Sequence, residues 1–151
     1  MNPSLENHYL ADHAELLANS FYTLVGHKLV SDKVNLGKEL YEAKFALLSH
    51  TNATEPVFNY ANLVALELFE FAWEEIIKIP SRLSAEPTNQ SERAKLLQQV
   101  TTKGFIDNYQ GIRISKTGKR FRIDNAIVWN LIDDNGIYQG QAACFSDWEY
   151  L

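Results

Sequence analysis

Residues 105–148 read FIDNYQGIRISKTGKRFRIDNAIVWNLIDDNGIYQGQAACFSDW. Two turn signals cut this stretch into three. Lys116, Thr117, Gly118 and Lys119 form the first; Asp134, Asn135 and Gly136 form the second. Gly and Asn tolerate the backbone angles of a tight reversal, so these are hairpin turns. The spacing predicts strands over 105–115, 121–133 and 137–148, joined as an antiparallel meander. In the middle strand the odd positions Phe121, Ile123, Ile127, Trp129 and Leu131 are apolar, with Asn125 the exception. Even positions start polar (Arg120, Arg122, Asp124) and turn apolar at Ala126, Val128 and Ile132. The second half of this strand is therefore expected to be covered on both faces.

Toward the N-terminus the period changes. Residues 87–104 predict a helix with Ala94, Leu97 and Val100 on one stripe and Gly104 just past its end. Residues 72–77 predict a short helix with Glu74 and Glu75 in its first turn, ended by Pro80. Asn62 can cap a helix carrying Val64, Ala65, Leu68 and Phe69. Phe45–Ser49 and Val57–Tyr60 read as short strands around a turn at residues 51–54. A short helix is expected near residues 39–42, after a linker over 31–38. Residues 5–30 predict one long helix, with Ser4 as N-cap and Gly26 weakening its end. The chain thus divides into an N-terminal helix and linker, 1–38, and a domain, 39–151. Helices segregated from a strand meander give an α+β fold: an antiparallel sheet of about five strands, short helices on one face, a long helix in front.

Composition bounds the function. Apolar residues make up 46% of the 151-residue chain and aromatics 12%, a globular balance. A chain of that length suits one core. Its single cysteine, Cys144, allows no internal disulfide, which fits a reducing compartment. No leader and no apolar run of the roughly 20 residues needed to span a membrane is visible. The net charge of -5 works against binding phosphate backbones. A cytoplasmic chain that binds neither membrane nor nucleic acid is expected.

The order of elements is that of a PAS domain, and the residues agree. Tyr60-Ala61-Asn62, Ala65, Leu68-Phe69, Glu74-Glu75 and Pro80-Ser81-Arg82-Leu83 resemble the PAS pattern of strand, bridging Asn, short helix and loop. Lys103-Gly104-Phe105, Gly111-Ile112-Arg113-Ile114-Ser115, Gly118-Lys119-Arg120, Ala126 to Leu131 and Asp147-Trp148 resemble the MEKHLA domain. That PAS-related domain ends plant class III homeodomain–leucine zipper proteins and also occurs as free-standing bacterial proteins, the type this chain resembles. The hexapeptide that names the family is absent, as are homeodomain, zipper and START regions. The resemblance implies a PAS-like fold and a sensory role, without catalytic residues and without the plant proteins' DNA binding.

Flavin photoreceptors of the PAS class carry a reactive cysteine where this chain has Ser81, so adduct photochemistry is not expected; any cofactor is left unknown. Arg82 could contact an anion, or simply close the helix–loop junction at the surface. None of His8, His13, His27 and His50 is paired at the spacing of metal ligands, and none is assigned to a metal. His50 could ligate haem or bond a ligand, or end a strand and satisfy a backbone carbonyl. The cations Arg113, Lys116, Lys119, Arg120 and Arg122 read as a solvated hairpin tip. Asn59, Asn125, Asn130, Gln139 and Gln141 lie within strands, where a pocket ligand could satisfy their amides.

Two binding readings follow. In the first, a small organic ligand sits between sheet and helices, near Phe58, Tyr60, Phe69, Arg82, Tyr109, Asn125 and Trp129, and the module signals through protein contacts. In the second, no ligand binds, and the apolar stripe from Leu5 to Leu29 makes a homodimer or holds a partner protein. An enzyme ranks last, since no catalytic residues can be assigned.

Overall fold

The computed structural model describes residues 1–31 and 34–151. Asp32 and Lys33, within the expected linker, lie outside the described residues. Helix α1 spans Ala11–Val25 and α2 Leu36–Tyr41. Strands β1 (Ala46–His50) and β2 (Phe58–Ala61) follow. Then come α3 (Leu63–Phe69), α4 (Trp73–Ile76), a 3-10 turn at Ser81–Ser84 and α5 (Pro87–Lys103). The chain closes with β3 (Phe105–Ile114), β4 (Arg120–Ile132), β5 (Tyr138–Phe145) and β6 (Asp147–Tyr150). The strands form one antiparallel sheet in the order β2-β1-β5-β4-β3, with β6 pairing the first part of β4.

The expected long N-terminal helix is shorter. Leu5–Asn7 is a 3-10 turn, and His8, Tyr9 and Leu10 all take positive φ near 50° before α1 begins. Asn7 causes the break: its Oδ1 accepts from the amides of Ser4 (2.9 Å) and Leu10 (3.3 Å), competing with a helical ladder. Ser4 therefore flanks the short turn and does not cap a long helix. At the other end Gly26 stops α1 in the left-handed conformation, φ 96°.

Asn62 fulfils its expected role and more. Its Oδ1 accepts from the amides of Ala65, capping α3, and of Leu47 in β1. Its Nδ2 donates to the carbonyls of Leu40 and Phe45. One fully buried amide thus ties α2, β1 and α3 together with no polar valence wasted.

Strand β4 is covered on both faces over its second half, as expected, but its side chains do not alternate evenly along its length. Phe105↔Trp129 and Ile106↔Val128 share one pairing frame with Gly111↔Ile123 and Arg113↔Phe121; Tyr109↔Ala126 between them is displaced by one residue. Each strand carries one extra residue, and each extra position has an asparagine at positive φ, Asn108 (51°) on β3 and Asn125 (53°) on β4. At each bulge the face changes. Phe121, Ile123, Ala126 and Val128 point to one side, and Ile127, Trp129 and Leu131 to the other. Asn59 is likewise skipped in the β1–β2 pairing, which leaves Phe58 and Tyr60 on opposite faces.

The sheet thus separates two cores. On one side α1 lays Ala14, Leu17 and Phe21 against Leu47, Trp129 and Leu131. On the other, α3 and α5 cover Leu48, Phe58, Ile123 and Val128. On α5 the buried stripe is Arg93, Leu96 and Val100, one position round from the expected one: Ala94 is exposed and Leu97 half-buried. An arginine therefore stands on the core face of this helix.

Candidate functional site in the helix-side core

The helix side of the sheet holds a partly open cavity lined by both apolar and polar groups. Leu48, Phe58, Phe69, Leu96, Ile123 and Val128 give the apolar wall; His50, Arg93, Tyr109, Arg113 and Gln141 give the polar one. It offers about 60 Å³ to the centres of water-sized molecules, room for a few waters or one compact solute. An outer groove of about 600 Å³ shares His50, Arg93, Leu97 and Gln141 with it and carries Arg82 and Ser81.

The polar wall rests on local backbone choices. Gly111 lets the Tyr109 ring lie across β3: a Cβ at residue 111 would sit 2.3 Å from the Tyr109 hydroxyl. The Arg113 guanidinium lies 5.6 Å from the centre of that ring, and its Nη2 donates to the Tyr109 hydroxyl at 3.1 Å. Its Nη1 donates to the Ile112 carbonyl at 2.9 Å. The Tyr109 hydroxyl in turn donates to the exposed Glu92 carboxylate at 2.9 Å, and burial pushes its own pKa up. Arg113, read from sequence as part of the solvated hairpin tip, is 7% exposed. The other hairpin cations reach carboxylates: Lys116 to Glu75, Lys119 to Glu70, Arg120 to Glu86, Arg122 to Asp124 and Glu149.

Arg93 is 8% exposed and no hydrogen bond or ion pair engages its guanidinium among the described residues. Burial, with the nearby charge of Arg113, lowers its pKa to about 10, so it remains charged at neutral pH. His50 ends β1, and its Nδ1 lies 2.9 Å from the Thr51 carbonyl, which makes Nδ1 the protonated nitrogen. Its buried Nε2 has no partner. Burial lowers its pKa to about 4, with Arg93 contributing in the same direction, so the ring is neutral.

Of the pocket candidates read from sequence, Phe58, Phe69 and Tyr109 line this cavity; His50, Arg113 and Gln141, given other roles there, line it too. Arg82 stands in the outer groove, paired with Glu55 at 2.8 Å. Tyr60 and Trp129 lie on the α1 face, and Asn125 is exposed, its Nδ2 3.4 Å from Asp147. The other strand amides find protein partners. Gln141 donates to Asn130 and to the Leu97 carbonyl, Asn130 to the Val100 carbonyl, and Gln139 to Asp133. Ser81 is fully buried with its hydroxyl unpartnered. Cys144 lies on the α1 face, where burial pushes its thiol up to about 12 and keeps it protonated. Among the described residues no three His, Cys, Asp or Glu side chains gather as a metal site. No helix there is long and apolar enough to cross a membrane. The two arginines were the residues that sequence reasoning missed. Arg93 had a usable signal, since it falls three and seven residues before Leu96 and Val100 on α5.

Solved structures share the fold. The PAS domain of a protein from Colwellia psychrerythraea aligns with a TM-score of 0.62 at 13% identity, covering 76% of this chain and 92% of its own. A light-oxygen-voltage domain studied with a flavin analogue aligns at 0.61 and 16% identity, covering 77% and 84%. An RNA-binding light-oxygen-voltage receptor aligns at 0.62 and 15% identity, covering 74% of this chain and 31% of its own. At such identities the likeness fixes the fold alone: this is a PAS-like α+β domain. Among curated proteins, the rice homeobox-leucine zipper protein HOX10 is 25% identical over 146 residues, 91% of this chain. The Arabidopsis thaliana protein ATHB-9 is 28% identical over 121 residues, 76% of this chain. The matches span 17% and 14% of those plant proteins. The MEKHLA domain profile matches residues 11–150, nearly the whole chain, and the chain belongs to the MEKHLA domain family.

Proposed function

We propose that this chain is a sensory module that takes a small molecule into the helix-side cavity and passes the change on through protein contacts. The observation that carries the reading is the cavity itself, a mostly apolar chamber lined by Arg93, which is 8% exposed and also reaches the outer groove, and by His50, whose Nε2 is buried without a partner. Buried polar groups in a folded chain are nearly always satisfied, and a ligand is one way to satisfy these. Glu92, Arg93, Leu96 and Leu97 sit on one helix, so occupancy can be felt on the exposed side of α5. A cytoplasmic setting and a protein partner for the output suit the net charge of -5 and the carboxylate-paired hairpin. The rival reading, a ligand-free dimer through the stripe from Leu5 to Leu29, has less to work with. Ala14, Leu17 and Phe21 of that stripe already cover the chain's own sheet.

Native mass spectrometry of freshly purified protein, beside a denatured run and an absorbance spectrum, tests the reading. A mass excess that leaves on denaturation is expected. An apo chain that stays apo against a metabolite library, its cavity holding only water, would sink the ligand reading.

A further inference from the structure

Resting on that sensory reading, we propose that the helix-side cavity recognises a compact organic carboxylate, held between the guanidinium groups of Arg93 and Arg113. Both arginines are more than nine-tenths buried and line the same chamber. No Asp or Glu is among the residues lining it. Elsewhere the chain pairs its exposed cations freely with carboxylates, as at Arg82–Glu55 and Lys116–Glu75. Among the described residues the two buried ones have no such partner. Glu92, the nearest acid in their network, bonds the Tyr109 hydroxyl instead.

Two guanidinium groups that line one chamber without a counter-charge repel, Arg113 being among the causes that depress the Arg93 pKa, and an anion between them removes that cost. Arg113 is oriented in advance by the Ile112 carbonyl and the Tyr109 hydroxyl. Arg93 keeps its fork uncommitted, and a planar guanidinium matches a planar carboxylate in two parallel hydrogen bonds. The rest of the chamber chooses the ligand's other end. Leu48, Phe58, Leu96 and Val128 ask for a short apolar body, which inorganic anions lack. The small volume limits that body to a few carbons. Because the groove and cavity share Arg93 and His50, a charged ligand entering from solvent meets a guanidinium first.

The test is calorimetric titration of the full chain at low salt with butyrate, its neutral isostere butyramide, succinate, and inorganic phosphate. We expect saturable one-to-one binding of butyrate or succinate and none of butyramide. Arg93→Gln should weaken carboxylate binding by about tenfold or more, the worth of one charged hydrogen bond. Arg113→Lys, which keeps the charge and loses the fork, should weaken it less. Circular dichroism confirms that each variant is folded; if Arg93→Gln is not, the wild-type butyrate–butyramide pair decides alone. Butyramide binding as well as butyrate, or phosphate binding where no carboxylate does, overturns the carboxylate assignment. So does a neutral co-purified molecule in the native mass spectrum, which leaves the sensory reading standing. Silence from every probe together with an apo mass spectrum overturns both.

Discussion

The two faces of one sheet solve opposite problems. Toward α1 the sheet is filled with rings and aliphatics. Phe21 meets Trp129 edge-on at 4.8 Å, and the Trp129 indole donates to the Leu17 carbonyl at 3.3 Å. The Ser20 hydroxyl donates to the Ile132 carbonyl and accepts from its amide, which pins the helix to the end of β4. Toward α5 the same strands leave a chamber lined by two guanidinium groups, those of Arg93 and Arg113. The first face supplies cohesion. The second holds polar groups whose pairing is left to something else, and the cohesion of the first face is what makes that tolerable.

Three measurements can break or sharpen this contrast. The largest effect is expected from Trp129→Ala, which empties the centre of the α1 face and should cost about 3–5 kcal/mol in a urea unfolding experiment. A loss well under 1 kcal/mol would show that this face is not the stabilising one. The second is pH. His13 on the α1 side and His50 on the cavity side both have folded pKa values near 4, against 6.5 for an ordinary histidine, because burial, partial at His13 and nearly complete at His50, disfavours the charged ring. The unfolded chain therefore binds protons first. Stability is full above pH 6.5 and falls as pH drops toward 4, by about 1.4 kcal/mol per unit for each histidine. Denaturation midpoints at pH 7 and 5, repeated for H13Q and H50Q, divide the slope between the two faces; a flat profile would contradict the buried, neutral state of both. The smallest effect is expected from Arg93→Leu in the unliganded chain. Exchanging an unpaired buried charge for an apolar group should leave stability unchanged or raise it by about 1 kcal/mol. A loss comparable to that of Trp129→Ala would make Arg93 a structural residue and erase the contrast.

What the sequence disclosed follows the range of the interactions involved. The capping of α3 by Asn62, the stop at Gly104 and both hairpins depend on neighbours in the chain, and the structure agrees with them. The order of elements was legible for the same reason. The start of α1 was not, because Asn7 turns its side chain back on Ser4 and forward on Leu10, a choice that apolar spacing does not register. The cover on both faces of the second half of β4 agrees with the sequence, but period-two counting runs straight through Asn125, where the strand gains a residue, and so groups Asn125 with Trp129. That put Trp129 in a pocket when it belongs to the α1 core. Arg93 was lost to a stripe drawn through Ala94 and Leu97, one step round the helix. Arg113 was grouped with cations adjacent in sequence, whereas its burial depends on Gly111 making room for the Tyr109 ring.

The paired bulges of β3 and β4 have a consequence for how such a chain can change length over generations. The extra residues at Asn108 and Asn125 cancel, so the strands are in the same frame before and after them. Each of the two is surplus to the ladder, so losing either codon alone would leave regular pairing, with Tyr109, Arg113, Phe121 and Ile123 still facing the chamber. Losing a codon elsewhere in either strand would instead turn every residue on one side of the lesion inside out. The two asparagines thus mark the points at which gene length can drift without everting the chamber.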